Sequence, residues 1–122
     1  MKNYYGMRNV REYASARFYD DAPKKIGSMA CVEFYEDAFH IVKLNWGTSE
    51  DDERSKDGEV EMSWTVQGEA LDCLKKICNN AKTPDAVVDF LKERFLPCGR
   101  NAHREVLKWL DEKQISYTYT EF

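Results

Sequence analysis

The chain has 122 residues, 43% hydrophobic and 13% aromatic. That suits one domain, 1–122, with a real core, and excludes a disordered chain or one that needs metal or disulfide staples to fold. The net charge of −4 is local: between Glu50 and Glu61 seven acids stand against two bases, Arg54 and Lys56, so the rest of the chain carries +1. A duplex nucleic-acid binder needs a basic face, and no single element offers one, so duplex nucleic acid is not an expected partner.

Residues 10–19, VREYASARFY, fit two patterns. As a strand, Val10, Glu12, Ala14, Ala16 and Phe18 share a face. As a helix, Val10, Tyr13, Ala14, Arg17 and Phe18 form a stripe, with Asn9 and Glu12 resembling a capping box. The strand is preferred, because DDAPKK then makes a turn into a second strand, IGSMACVEFY, and the two form a natural hairpin. Residues 26–35 and 38–46 form another hairpin around Glu36 and Asp37. In its second strand Ala38, His40, Val42, Leu44 and Trp46 share one face, and Phe39 and Ile41 the other, so both faces are expected to be at least partly covered. Helices cover one; the other is left for a partner or a second copy of the chain.

The acidic stretch is next, a long loop closed by the turn signal Asp57-Gly58. The strand after it places Val60, Met62, Trp64 and Val66 on one side and Glu61, Ser63, Thr65 and Gln67 on the other. From Glu69 the period changes. Ala70, Leu71, Leu74, Ile77 and Cys78 have helical spacing, and NNAKT ends that helix. Thr83 caps the next, with Pro84 at its first position and Asp85 in its first turn. LPCG stops it, with glycine suited to a left-handed exit. Asn101 caps a third helix, whose apolar side is Val106, Leu107, Trp109 and Leu110. ISYTYTEF reads as a final strand. The expected fold is α+β: an antiparallel β-meander of about four strands, three short helices and a C-terminal strand.

No apolar run approaches the roughly 20 residues of a membrane helix. The start, MKNYYGMRNVREY, lacks a signal-peptide core, which points to the cytoplasm and to reduced thiols at Cys31, Cys73, Cys78 and Cys98. A zinc site of Cys73, Cys78, Cys98 and His103 is disfavoured: Cys73 and Cys78 point about 140° apart on a helix. The acidic loop echoes a calcium loop at Glu53, Ser55, Asp57 and Gly58, without the closing glutamate or flanking helices. A solvated loop explains it more simply, with mimicry of nucleic-acid phosphate toward a basic partner as a minority alternative. There is no phosphate-binding glycine loop, nucleophile elbow or H-E-x-x-H motif. His40, alternating with Val42 and Leu44, reads as a core-edge histidine. Neither a metal nor a cofactor is called for.

The densest chemistry lies in LPCGRNAHREV, residues 96–106. A helix start offers backbone N–H groups and partial positive charge. Arg100, Asn101, His103 and Arg104 cluster there, and Arg94 on the preceding turn can face inward. Together these five form the expected binding site for a phosphorylated or nucleotide-like anion, completed at a dimer interface if the chain pairs. A Cys98–His103 nucleophile lacks a third orienting residue, so no catalytic residue is assigned. The primary expectation is a non-enzymatic binding or regulatory protein acting by protein–protein contact. Inhibitors carried by phages and mobile elements share that style, an analogy without residue matches behind it. Anion binding or sequestration is the alternative.

Overall fold

The computed structural model describes residues 13–22, 26–47 and 59–121. Five strands, β1 (Ala14–Asp20), β2 (Gly27–Tyr35), β3 (Ala38–Trp46), β4 (Glu59–Gln67) and β5 (Thr118–Glu121), form one sheet in the order β1-β2-β3-β4-β5. Every neighbouring pair is antiparallel. The α+β class, the meander and the returning C-terminal strand are those expected from the sequence. Residues 14–20 are a strand. The Asn9–Glu12 capping box, Pro23 to Lys25 of the first turn, the calcium-like loop and the Asp57-Gly58 turn lie outside the described residues.

Local chemistry accounts for the elements. Tyr35 pairs with Ala38 across a two-residue turn whose members, Glu36 and Asp37, both have positive φ, 52° and 60°. That turn twist matches the twist of the flanking strands. Helix α1 (Glu69–Ile77) buries Leu71 and Leu74. It is followed by Asn79 and Asn80, both left-handed, at φ 59° and 55°. Helix α2 (Pro84–Phe95) starts where Thr83 Oγ1 accepts the Ala86 N–H at 3.2 Å.

The third helix differs from expectation. A 3-10 segment, Leu96–Asn101, joins α2 to α3 (Ala102–Glu112) without a coil break and kinks at Gly99, φ 57°. The helices are therefore two bodies, α1 and a kinked α2–α3 arm, in place of three separate ones. Asn101 occupies the cap position of α3, but its side chain makes no capping bond. The Ala102 N–H is satisfied by the Gly99 carbonyl instead, so the start of α3 has fewer unpaired amides than an isolated helix would.

The core lies between one sheet face and the helices. Val32, Phe34, Phe39, Ile41 and Val66 meet Leu74, Val87, Leu91, Val106 and Leu110. A β-bulge in β1 decides what reaches the end of this core. Arg17 pairs with Cys31, Tyr19 with Ala30, and Phe18 is the extra residue. The bulge reverses the alternation. Before it Ala14, Ala16 and Phe18 face the helices; after it Tyr19 does, opposite Ala30. Asp20 is left beside Arg17 at 2.6 Å, while Asp21 is buried against Ser28.

Candidate functional site

A cavity of about 570 Å³ sits where the sheet end meets the α2–α3 kink, within the roughly 300–1,000 Å³ range of small-molecule sites. Its floor is strand-built. Ser28 pairs with Asn45, and Lys43 with Met62, so three adjacent strands present these side chains on the helix side. Its roof is Arg100, Asn101, His103 and Arg104. Ile26, 69% exposed, and Trp46 form an apolar lip.

Asp21 organises one wall. Its carboxylate accepts the Ser28 N–H at 2.9 Å, and its own N–H donates to the Ser28 carbonyl at 2.9 Å. Tyr19 Oη also donates to it. Arg100 Nη2 lies 3.1 Å from Asp21 Oδ2 and donates to Tyr19 Oη at 2.7 Å, with its guanidinium stacked 4.8 Å from the Tyr19 ring centroid. Arg100 is therefore partly committed to the wall. Gly27 makes this packing possible: a Cβ there would stand 2.5 Å from Asp21 Cβ and 3.0 Å from Trp46 Cζ2.

The interior contains groups that folding normally leaves in water. Lys43 is 7% exposed, and its Nζ donates to the Arg100 carbonyl at 3.2 Å. Burial lowers its pKa, Arg100 lowers it further, Asp21 acts in the opposite sense, and Arg104 makes a smaller downward contribution. His103 is 9% exposed and lies 5.8 Å from the Trp64 ring. Burial, then the charges of Lys43 and Arg104, push its pKa down to about 4, against a smaller opposing effect of the Arg100 carbonyl. That carbonyl favours the protonated ring without closing a bond in good geometry: His103 Nδ1 has no hydrogen-bond partner among the described residues, and neither has Ser28 Oγ. Arg104 is exposed and forms no ion pair among the described residues.

Four of the five residues expected to form the site, Arg100, Asn101, His103 and Arg104, come together. Arg94 does not. The last turn of α2 aims it across the helices, 5.6 Å from the Phe95 ring centroid and 5.5 Å from that of Trp109. It lines a separate cavity with Cys78, Asn79 and Phe90. Asp21, just beyond β1, and the strand residues Ser28, Lys43 and Trp46 are missing from the sequence expectation. One signal pointed to Lys43 alone: it continues the parity of Phe39 and Ile41, which places a lysine on a core-facing row.

The other constellations gain little. Cys73 is exposed and Cys78 buried, so they leave α1 on different faces, and no hydrogen bond joins Cys98 to His103 among the described residues. No group of three potential metal ligands forms among the described residues. His40 is half-buried on the open sheet face, stacked 4.1 Å from Tyr35 with Nδ1 3.0 Å from Thr65 Oγ1. Its Nε2 has no partner among the described residues, so only one ring nitrogen is satisfied. No helix among the described residues is long and apolar enough to cross a membrane. Comparison of the chain with protein families, with curated proteins and with solved structures found no match in any of the three.

Proposed function

We propose that the protein is a small binding protein that holds a phosphorylated or nucleotide-like anion in the cavity beneath the α2–α3 kink. One observation carries this. The buried polar side chains among the described residues are Asp21, Ser28, Lys43, Ser63 and His103, and all except Ser63 line this single cavity. Buried polar groups are costly unless paired. Their concentration at one place, two of them unpartnered, supports a ligand site over scattered packing. The charge sign supports an anion, because Asp21 offsets one of the three cations Lys43, Arg100 and Arg104. The apolar lip of Ile26 and Trp46 suits the organic part of such a ligand.

Thermal unfolding in phosphate, pyrophosphate and nucleoside monophosphates, against chloride at equal ionic strength, tests it. Binding to the native state raises the melting temperature with ligand concentration. Arg104→Ala removes an arginine that forms no ion pair among the described residues and is expected to abolish the rise. No stabilisation in wild type, or an equal rise in Arg104→Ala, ends the proposal.

A second reading is protein–protein contact through the open sheet face, as a regulator or inhibitor or in a homo-oligomer. Its support is a depression there lined by Arg17, Met29, Leu44 and Trp46, with Tyr35, 38% exposed, at the other end of the same face. Cys31 and Val42, at the centre of that face, are already buried within the chain. The apolar surface left for a partner is therefore smaller than the alternation of β3 implies. A sizing measurement that finds only monomer, with no partner recovered, removes this support.

A further inference from the structure

We propose that Lys43 is a reactive amine that captures a phosphorylated aldehyde or ketone as a reversible imine, the phosphoryl group being held by Arg104 and the start of α3. This rests on the anion reading of the cavity and adds a covalent step to it.

A lysine kept inside a protein for structure normally sits on a carboxylate. Lys43 forms no ion pair among the described residues; its Nζ donates to a backbone carbonyl, that of Arg100. The nearby carboxylate, Asp21, is engaged by the Ser28 N–H, Tyr19 and Arg100. Lys43 also shares its cavity with two guanidiniums, Arg100 and Arg104. Desolvation together with neighbouring positive charge is the environment that turns a lysine into a nucleophile, because both favour the neutral amine. Its lowered pKa agrees with that geometry. An ammonium carries no free lone pair; surroundings that favour the neutral amine raise the share of Lys43 that has one, and the bond to the Arg100 carbonyl uses an N–H and leaves that lone pair available.

The step balances without an oxidant or reductant. The Nζ lone pair attacks the carbonyl carbon and a C–N bond forms. The C=O π pair moves to oxygen, which takes one of the two amine protons. The nitrogen lone pair then expels that oxygen as water, which leaves with the second amine proton, and a C=N bond remains. Ser28 from the floor and His103 from the roof, each with a buried polar atom that lacks a partner among the described residues, are positioning residues for the carbonyl oxygen.

The full chain is incubated with pyridoxal 5′-phosphate or with pyridoxal, each a probe aldehyde, in phosphate-free buffer. Cyanoborohydride fixes any imine, and peptide mass spectrometry locates it. With the phosphorylated probe, Lys43 is expected to label on the order of tenfold faster than the exposed Lys76, Lys92 and Lys108. Inorganic phosphate is expected to slow it. The Lys43 rate is also expected to level off at a lower pH than the rates of the exposed lysines. Arg104→Ala, which keeps Lys43, is expected to lose the preference for pyridoxal 5′-phosphate over pyridoxal. Labelling of Lys43 no faster than the exposed lysines overturns the proposal, even if phosphate still stabilises the protein in an Arg104-dependent way; the anion reading then survives alone. Equal labelling of Lys43 by both probes, with no protection by phosphate, overturns the phosphoryl selectivity and the anion reading together.

Discussion

Acid should destabilise this protein through His103, and the size of the effect can be worked from its surroundings. In an unfolded chain an imidazole takes up its proton near pH 6.5; in the fold His103 does so only near pH 4, first because it is buried and then because Lys43 and Arg104 repel the proton. Between those pH values the unfolded state binds more protons than the native state, so stability falls as pH falls. The slope is about 1.4 kcal/mol per pH unit and the total about 3 kcal/mol, as an order of magnitude. The ring is 9% exposed, so solvent screening does little to reduce it. Below about pH 4 both states are protonated and this group adds no further loss. Urea unfolding of wild type and His103→Gln between about pH 7 and pH 4 isolates the effect, because carboxylates titrate in both proteins and cancel in the difference. The wild-type stability is expected to drop relative to the variant by about 3 kcal/mol over that range. Parallel stability curves would refute the account, as would an imidazole NMR titration of His103 centred near its ordinary value.

Three further outcomes follow from the cavity wall and its neighbours. Gly27→Ala places a methyl 2.5 Å from Asp21 Cβ and is expected to cost about 1–3 kcal/mol in urea unfolding; an unchanged midpoint would show that the wall gives way freely. Lys43→Met removes a buried amine and leaves its one carbonyl partner, that of Arg100, without this donor. Its stability without phosphate is expected to stay within about 1 kcal/mol of wild type, while the phosphate-induced rise in melting temperature disappears; a large loss of stability would mark Lys43 as structural. Arg94→Ala removes a guanidinium that lies over Phe95 and Trp109; a cost of about 0.5–1 kcal/mol is expected, with an unaltered phosphate response in the thermal assay.

What the sequence made legible is what local chemistry decides. The Glu36-Asp37 turn, the Thr83 cap with Pro84 behind it, and the alternation of Val60 to Val66 each carry their own reason within a few residues. The roof of the cavity belongs to this class, because Arg100, Asn101, His103 and Arg104 are neighbours in sequence. Its floor depends on strand register, which no short stretch encodes. Lys43 meets Met62, and Ser28 meets Asn45, only once three strands have paired. The bulge at Phe18 is the sharper case: without it Asp20 would take the inward position, and nothing in ARFYDD marks which aspartate turns in. Arg94 failed for the converse reason. It is close to Arg100 in sequence, but the 3-10 segment and the Gly99 kink rotate α3 away from the face on which Arg94 emerges.

The arrangement of charge around Lys43 gives these pieces a common logic. Asp21 and Arg100 offset one another, and their contact fastens β1 and β2 to the helical arm. Lys43 and Arg104 form no ion pair among the described residues, and His103 takes up its proton only near pH 4, first because it is buried and then because their charges repel it. A buried charge without a counter-ion lowers stability, and packing alone would favour an apolar side chain at position 43. On the proposed reading an anionic ligand would resolve the conflict: it would supply negative charge, and the atoms of Ser28 and His103 that lack partners among the described residues would give it hydrogen-bonding groups that are already desolvated. Interactions of this kind are stronger in a site that excludes water than on an open surface. Stability given up in forming the cavity would then be converted into affinity, the trade expected of a binding site and one that a helix-to-helix corner built only to turn the chain does not need.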